Sequence, residues 1–150
     1  MANKKLVESL YYSLARGDIE VTTALLANDV DWWFHGPRRC QYMQRLLTGE
    51  VGPVDFLFVP RRVVEVGEGR WVVAEGWEGD QAYWVHAWAI DDGVITHFRE
   101  YFNTSVTVRQ VGRATGTGVA DRGRDAAHEI WHSQAGGSMG RAMPGLVLAI

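Results

Sequence analysis

Three features of the sequence predict an α+β domain. Apolar residues recur with helical spacing from Leu6 to about Leu47. From Val54 onward the pattern changes to β-branched and aromatic runs. Two junctions between those runs, Gly79-Asp80 and Asp91-Asp92-Gly93, have hairpin composition. Helices followed by an antiparallel meander is the α+β order.

The elements follow in turn. Leu6, Val7, Leu10, Tyr11 and Leu14 mark one face of a first helix. Gly17 can close it, and Asp18 can cap a second helix running through Val21, Leu25 and Leu26 to about Asn28-Asp29. Val30 to His35 reads as a short strand, broken by Gly36-Pro37. Pro37 suits the first turn of a third helix carrying Cys40, Met43, Leu46 and Leu47, with Gly49 at its end. Val54–Val59 reads as a strand with Pro60 at an edge or kink, and Arg61–Val66 as its continuation. Gly67-Glu68-Gly69 turns the chain. Trp71–Glu78, Ala82–Ile90 and Val94–Asn103 then form the meander.

The composition changes at Gly112. Residues 1–111 read as the folded domain, 112–124 as a Gly-rich linker without periodicity, and 125–150 as a tail. Asp125–His132 has the pattern of a short helix. The segment from Pro144 to Ile150 is too apolar to stay in water, and it should dock on the body or on a second subunit.

A net charge of −3 offers no electrostatic reason to propose nucleic acid or an anionic membrane as partner. The single Cys40 excludes an internal disulfide and a thiolate metal site, and suits a reducing compartment. Met-Ala-Asn-Lys-Lys opens no apolar signal segment, and the apolar C-terminus is too short to span a bilayer. A cytoplasmic protein, small enough to be found in the nucleus as well, is the expectation.

Six of the seven tryptophans lie between Trp32 and Trp88, with His35 and His86 among them. An indole carries an N–H that wants a partner, so this many tryptophans suggests the wall of an aromatic pocket. An oversized core or a subunit interface is the alternative. Strand register decides which of them share a face. With Gly79-Asp80 as a two-residue loop, Glu75 faces Trp84, Val73 faces His86 and Trp71 faces Trp88. With Asp92-Gly93 as another, His86 faces Arg99 and Trp84 faces Tyr101. Trp71, Glu75, Trp77, Trp84, His86 and Trp88 then share one side with His97, Arg99, Tyr101 and Asn103. Val85, Phe98 and Phe102 fall on the other, a face that needs cover and predicts a homodimer. A bulged second hairpin would bring Glu100 to the His86 face in place of Arg99.

Several segments carry a family resemblance. Asp-Trp-Trp-Phe-His-Gly-Pro (31–37), Arg-Leu-Leu-Thr-Gly (45–49), Val-His-Ala-Trp (85–88), Arg-Glu-Tyr-Phe-Asn-Thr-Ser (99–105) and Pro-Gly-Leu-Val-Leu-Ala-Ile (144–150) resemble the plant wound-induced, senescence-associated family. That family belongs to the SnoaL-like branch of the nuclear transport factor 2 superfamily. The resemblance implies a cone-like fold, with three N-terminal helices packed in a strongly bent antiparallel sheet that leaves a pocket at its open end. Its relatives include cyclases, isomerases, epoxide hydrolases, dehydratases and non-catalytic modules, so fold alone selects no function. Many catalytic relatives end the last strand in a Tyr-Phe-Asp pattern. Asn103 stands there in this chain, and an amide can orient a ligand but cannot take a proton.

His86 is the first candidate for acid–base chemistry, with Glu75 or Arg99 as second group and Tyr101 nearby; a core histidine tied into hydrogen bonds is the alternative. Arg99, Tyr101 and Asn103 on one face suit a ligand carbonyl or carboxylate, and Arg99 equally suits a buried Glu. Trp33, Trp77, Trp84 and Trp88 offer stacking surfaces. His35 belongs either at the pocket mouth or in the strand-to-helix turn. His35, His86 and His97 lack ligand spacing, and His128 and His132 sit in the tail, so no metal and no organic cofactor is expected. Two functions follow: a cofactor-free isomerase, cyclase or dehydratase acting on a small hydrophobic oxygenated metabolite, or a binder of a small aromatic or terpenoid ligand. A dimeric interaction module is a third.

Overall fold

A computed structural model describes residues 2–47, 57–78, 82–111, 128–135 and 143–150. Helix α1 (Ala2–Ala15) buries the predicted stripe Val7, Leu10, Tyr11 and Leu14. Gly17, at φ +71, closes it with backbone bonds back to Leu14 and Ser13 from Gly17 and Asp18. Asp18 caps α2 (Ile19–Ala24), its carboxylate accepting the Val21 N–H at 3.2 Å. Helix α2 is shorter than predicted. Strand β1 (Leu26–His35) already begins where the helix was expected to continue, because the Leu25 carbonyl accepts the N–H of Ile95 at 2.8 Å. The segment after Pro37 divides into a 3-10 turn (Arg38–Cys40) and α3 (Tyr42–Leu47). Gly49 and residues 54–56 lie outside the described residues, and Leu57–Pro60 is irregular rather than a strand.

The meander is present: β2 (Arg62–Val66), β3 (Trp71–Glu78), β4 (Ala82–Asp91) and β5 (Val94–Phe102). With β1 they make a curled five-stranded sheet in the order β1-β5-β4-β3-β2. The α+β class is as predicted, with one departure: β1 runs parallel to β5, so the sheet is not wholly antiparallel.

The first hairpin departs from the expected register, and the second takes the bulged alternative that brings Glu100 to His86. Glu78 pairs with Ala82, so three residues rather than two join β3 to β4. Val72, Ala74 and Gly76 therefore stand opposite Trp88, His86 and Trp84, and the expected grouping of Glu75, Trp71 and Trp77 with His86 is overturned. Side-chain volume explains the choice. A Cβ on Gly76 would stand 2.5 Å from the Trp84 ring and 2.7 Å from the Val59 carbonyl oxygen, so the indole lies over a position that only glycine can occupy. The second hairpin does turn on two residues, Asp92 (φ 50) and Gly93 (φ 77), as Asp91 pairs with Val94. A bulge then intervenes: Ile90 pairs with Ile95 but Ala89 with His97, leaving Thr96 as the extra residue. From there on the strand is flipped, and His86 faces Glu100, not Arg99.

A second sheet was not anticipated as such. Strand β6 (Ser105–Gln110) pairs with β7 (His128–His132) and, in parallel, with β8 (Gly145–Ala149), in the order β7-β6-β8. The helix predicted over Asp125–His132 is overturned at residues 128–132, which pair antiparallel with β6 and bury Trp131; residues 125–127 lie outside the described residues. The apolar C-terminus docks on its own body: Leu146, Leu148 and Ile150 join the cluster behind the main sheet. The predicted linker 112–124 lies outside the described residues.

The molecule thus has two cores, one on each face of the main sheet. The front face packs Trp84, Trp88, Phe98 and Phe102 against the helices. The back face packs Val73, Tyr83, Val85 and Tyr101 against the second sheet. The premise for a covering partner is thereby removed, since Phe98 and Phe102 lie under helices and Val85 under the chain's own C-terminal strands.

Candidate functional site

The front core contains a closed chain of polar groups. Alternation along β4 sends Trp84, His86 and Trp88 to the helix side, and the bulge at Thr96 sends Glu100 to the same side. Helix α1 lowers Tyr11 onto them. The Trp88 indole donates to the Tyr11 hydroxyl at 3.0 Å, and Tyr11 Oη lies 2.6 Å from His86 Nδ1. His86 Nε2 lies 2.6 Å from Glu100 Oε2. His86 and Glu100 are fully buried and Tyr11 is 3% exposed.

The geometry assigns the protons. The Tyr11 oxygen already accepts from Trp88, so its O–H donates to Nδ1; the imidazole then carries its proton on Nε2 and donates to the Glu100 carboxylate. Burial lowers the His86 pKa, with Glu100 opposing, and so favours the neutral ring. Burial also holds the Tyr11 phenol well above its ordinary value, so it remains a donor. Among the described residues, two atoms of this core have no protein partner: Glu100 Oε1, an acceptor, and Trp84 Nε1, a donor.

Aromatic rings enclose His86. The centroids of Trp84, Phe58, Phe98 and Trp88 stand 4.4, 4.8, 5.0 and 5.8 Å away. Two clefts reach this box from outside. One, of about 560 Å³, runs between α1 and residues 58–63 and ends on Tyr11 and Phe58. Lys4, Glu8, Arg61 and Arg62 line its walls. The other, of about 220 Å³ and largely apolar, ends on Trp88 and Phe98.

The remaining predicted residues lie elsewhere. Glu75 is fully buried on the back face, where its carboxylate accepts from Arg62 Nη2 at 2.6 Å and from the Gln134 N–H at 3.2 Å. Arg62 also donates to the His132 carbonyl and covers the Trp131 ring. Glu75 therefore ties the two sheets together instead of serving His86. Trp77 is on the same face, donating to the Ala135 carbonyl at 3.1 Å. Asn103 sits at φ 51, where the chain leaves β5 for β6; its side-chain oxygen accepts the Tyr83 N–H at 2.9 Å. It is a corner residue.

Trp33, His35, Arg99 and Tyr101 do come together, but behind the sheet and away from His86. With Asp31 and residues 146–148 of β8 they line a groove of about 630 Å³. Arg99 donates to Asp31 at 3.0 Å and pulls that carboxyl below its ordinary range. Burial pushes the Tyr101 phenol up to about 12.

Of the groups beside His86, the sequence had offered Glu100 only through the bulged register and Tyr11 only as helix core. Tyr11 had a signal, since it is the one phenol among the buried residues of α1. Among the described residues no three His, Cys, Asp or Glu side chains come together as a metal set, and no helix is long and apolar enough to cross a membrane.

The chain resembles known proteins at two levels. A family model described as wound-induced protein WI12 matches residues 43–150. A protein of Arabidopsis thaliana, "Senescence associated gene 20", is 41% identical over 111 residues, which is 71% of this chain and 99% of that one. "Wound-induced protein 1" of Solanum tuberosum is 40% identical over 83 residues, 55% of this chain and 76% of that one. Among solved structures, Bal32a from a soil-derived mobile gene cassette is similar at a TM-score of 0.52 and 19% identity, covering 67% of this chain and 88% of that one. An NTF2-like protein of unknown function from Burkholderia pseudomallei is similar at 0.52 and 22%, covering 68% and 92%. These last two likenesses establish an NTF2-like fold.

Proposed function

This chain belongs to the wound-induced protein WI12 family, and from that premise we propose that it binds a small hydrophobic, oxygenated molecule and acts on it by acid–base chemistry at His86. A role in wound or stress response is part of the same proposal, supported by the names of its relatives.

One observation carries the reading: the Tyr11–His86–Glu100 chain is buried, yet it leaves an acceptor and a donor unspent at Glu100 Oε1 and Trp84 Nε1. Taking a carboxylate out of water costs several kcal/mol, which pairing and hydrogen bonds must offset. Most buried polar atoms in a folded protein are paired, and the two unspent ones here lie beside His86, where a further group can use them. A neutral molecule presenting a hydroxyl to Glu100 and a carbonyl to Trp84 satisfies both. Access runs past Tyr11 and Phe58, the two side chains shared by the larger cleft and the box.

In this arrangement Glu100 holds the Nε2 proton and stabilises positive charge on the ring, while Nδ1 is the basic atom. A proton leaving a substrate carbon passes to the Tyr11 oxygen as the Tyr11 O–H proton moves to Nδ1, and it returns at another position by the reverse path. Isomerisation, cyclisation and dehydration all reduce to such transfers, and Glu100 takes the place beside His86 that Glu75 and Arg99 do not reach. Deuterium exchange tests this without knowledge of the product. Enones and hydroxyketones incubated in heavy water with the protein should gain deuterium by mass spectrometry, and His86→Gln and Glu100→Gln should abolish the gain. Exchange that persists in His86→Gln overturns the proposal.

A second reading rests on the enclosure of His86 by four aromatic rings within 4.4–5.8 Å. Closure of that kind favours a binder that holds its ligand without turnover. A small molecule retained in native mass spectrometry, with no exchange by the wild type, selects it.

A further inference from the structure

We propose that the groove between β1, β5 and β8 is a second binding site, separate from the His86 interior, and that it takes a planar aromatic carboxylate. The residues that the sequence joined into one site form two, on opposite faces of one sheet.

The aromatic half of the ligand is read from Trp33. This residue is 42% exposed, an unusual state for an indole in a folded chain. Its ring is held nearly parallel to His35, at 12° and 5.9 Å, and leans on Tyr101 at 5.2 Å. A flat surface fixed in this way can stack a planar ring with little further loss of side-chain freedom. Leu146, Val147 and Leu148 supply the facing apolar wall, where Val147 is 59% exposed.

The acidic half is read from Arg99. Its guanidinium spends one nitrogen, Nη2, on Asp31. Arginine presents five donors in a planar fork that fits a carboxylate two atoms at a time. Asp31 is itself 58% exposed, so its hold on Arg99 is a weak surface ion pair, exchangeable for a ligand acid. Tyr101, with its phenol raised to about 12, adds a neutral O–H donor on the same wall. His35 lines the groove too, and His97 Nε2 stands 4.0 Å from the same Asp31 oxygen that Arg99 holds. The volume of about 630 Å³ suits a small ligand.

Titration calorimetry on the full chain tests the proposal, with naphthoate as probe and naphthalenemethanol as its neutral counterpart. Naphthoate should bind saturably, and the alcohol at least about tenfold more weakly, since the charge-assisted pair with Arg99 is absent. Arg99→Lys and Trp33→Ala should each weaken naphthoate by about fivefold or more. Asp31→Asn should tighten it, by about threefold or more, because the competing carboxylate is gone. A gain of that sign cannot come from misfolding. His86→Gln should leave naphthoate affinity unchanged, which separates this site from the interior one. No saturable binding, equal affinity for the alcohol, no gain in Asp31→Asn, or loss on His86→Gln with retention in Arg99→Lys each overturns it.

Discussion

A phenol, an imidazole and a carboxylate in line, each within 2.6 Å of the next, are the residues on which this protein turns. Tyr11→Phe removes the phenol from that line and leaves the Trp88 N–H and His86 Nδ1 without partners. Stranding a buried polar group costs about 1–3 kcal/mol, so this variant should unfold at clearly lower denaturant concentration while keeping its slope. The pH dependence follows from His86. Burial depresses its pKa below 6.5, so under acid the unfolded chain binds a proton that the folded chain refuses. Stability therefore rises with pH across the window beneath 6.5 and falls as the solution is acidified through it. Denaturation midpoints at about pH 5.5 and 7.5 should show the loss, and His86→Gln should reduce it. These residues were only half legible in the chain. His86 stood out among its tryptophans, but Tyr11 looked like any apolar member of a helix stripe, because helical spacing reports burial and not what a hydroxyl meets across the core.

Elements turned on single residues. Gly76 lets the Trp84 indole and the Val59 backbone meet over β3, and Gly76→Ala puts a methyl into both. Overpacking of this kind costs about 1–3 kcal/mol, and the shift falls on rings that enclose His86. Thermal melting should drop, and near-ultraviolet circular dichroism of the indoles should change with it. Asn103 marks the corner between the two sheets at a left-handed backbone angle. Asn103→Gly should be tolerated better than Asn103→Val, since a β-branched residue at φ 51 adds about 1–2 kcal/mol of strain and both variants lose the bond to Tyr83. Helix α1, its Gly17 end and the Asp18 cap were all readable, because capping and helical period are local. The hairpin registers were not. A one-residue change of loop length reverses every side chain, and the arbiter, an indole fitting over Gly76, acts between strands.

At the scale of the whole molecule, one sheet separates two cores and two candidate sites. The C-terminal strand seals the back core, so a chain ending at residue 142 should expose the surface that Leu146, Leu148 and Ile150 cover. Such a truncation should bind a hydrophobic dye and associate at concentrations where the full chain stays dispersed. The apolar character of 144–150 announced that it would dock. Its place beside β6, in parallel, and the strand at residues 128–132 did not show in the sequence.

The sequence by itself determined what depends on neighbours along the chain: helix α1 with its Gly17 end, the Asp18 cap, the meander, the Asp92-Gly93 turn and, through joint motifs, the family. It also marked the residues worth watching. Tertiary structure alone decided which of them meet. Three residues between β3 and β4 and one bulged Thr96 put Glu100 beside His86, sent Glu75 to a salt bridge with Arg62 on the back face, and left Trp33, Arg99 and Tyr101 on that far side too. The reason is geometric: side chains alternate along a strand, so which face a residue serves depends on register, and register is chosen by packing between strands and layers distant in sequence.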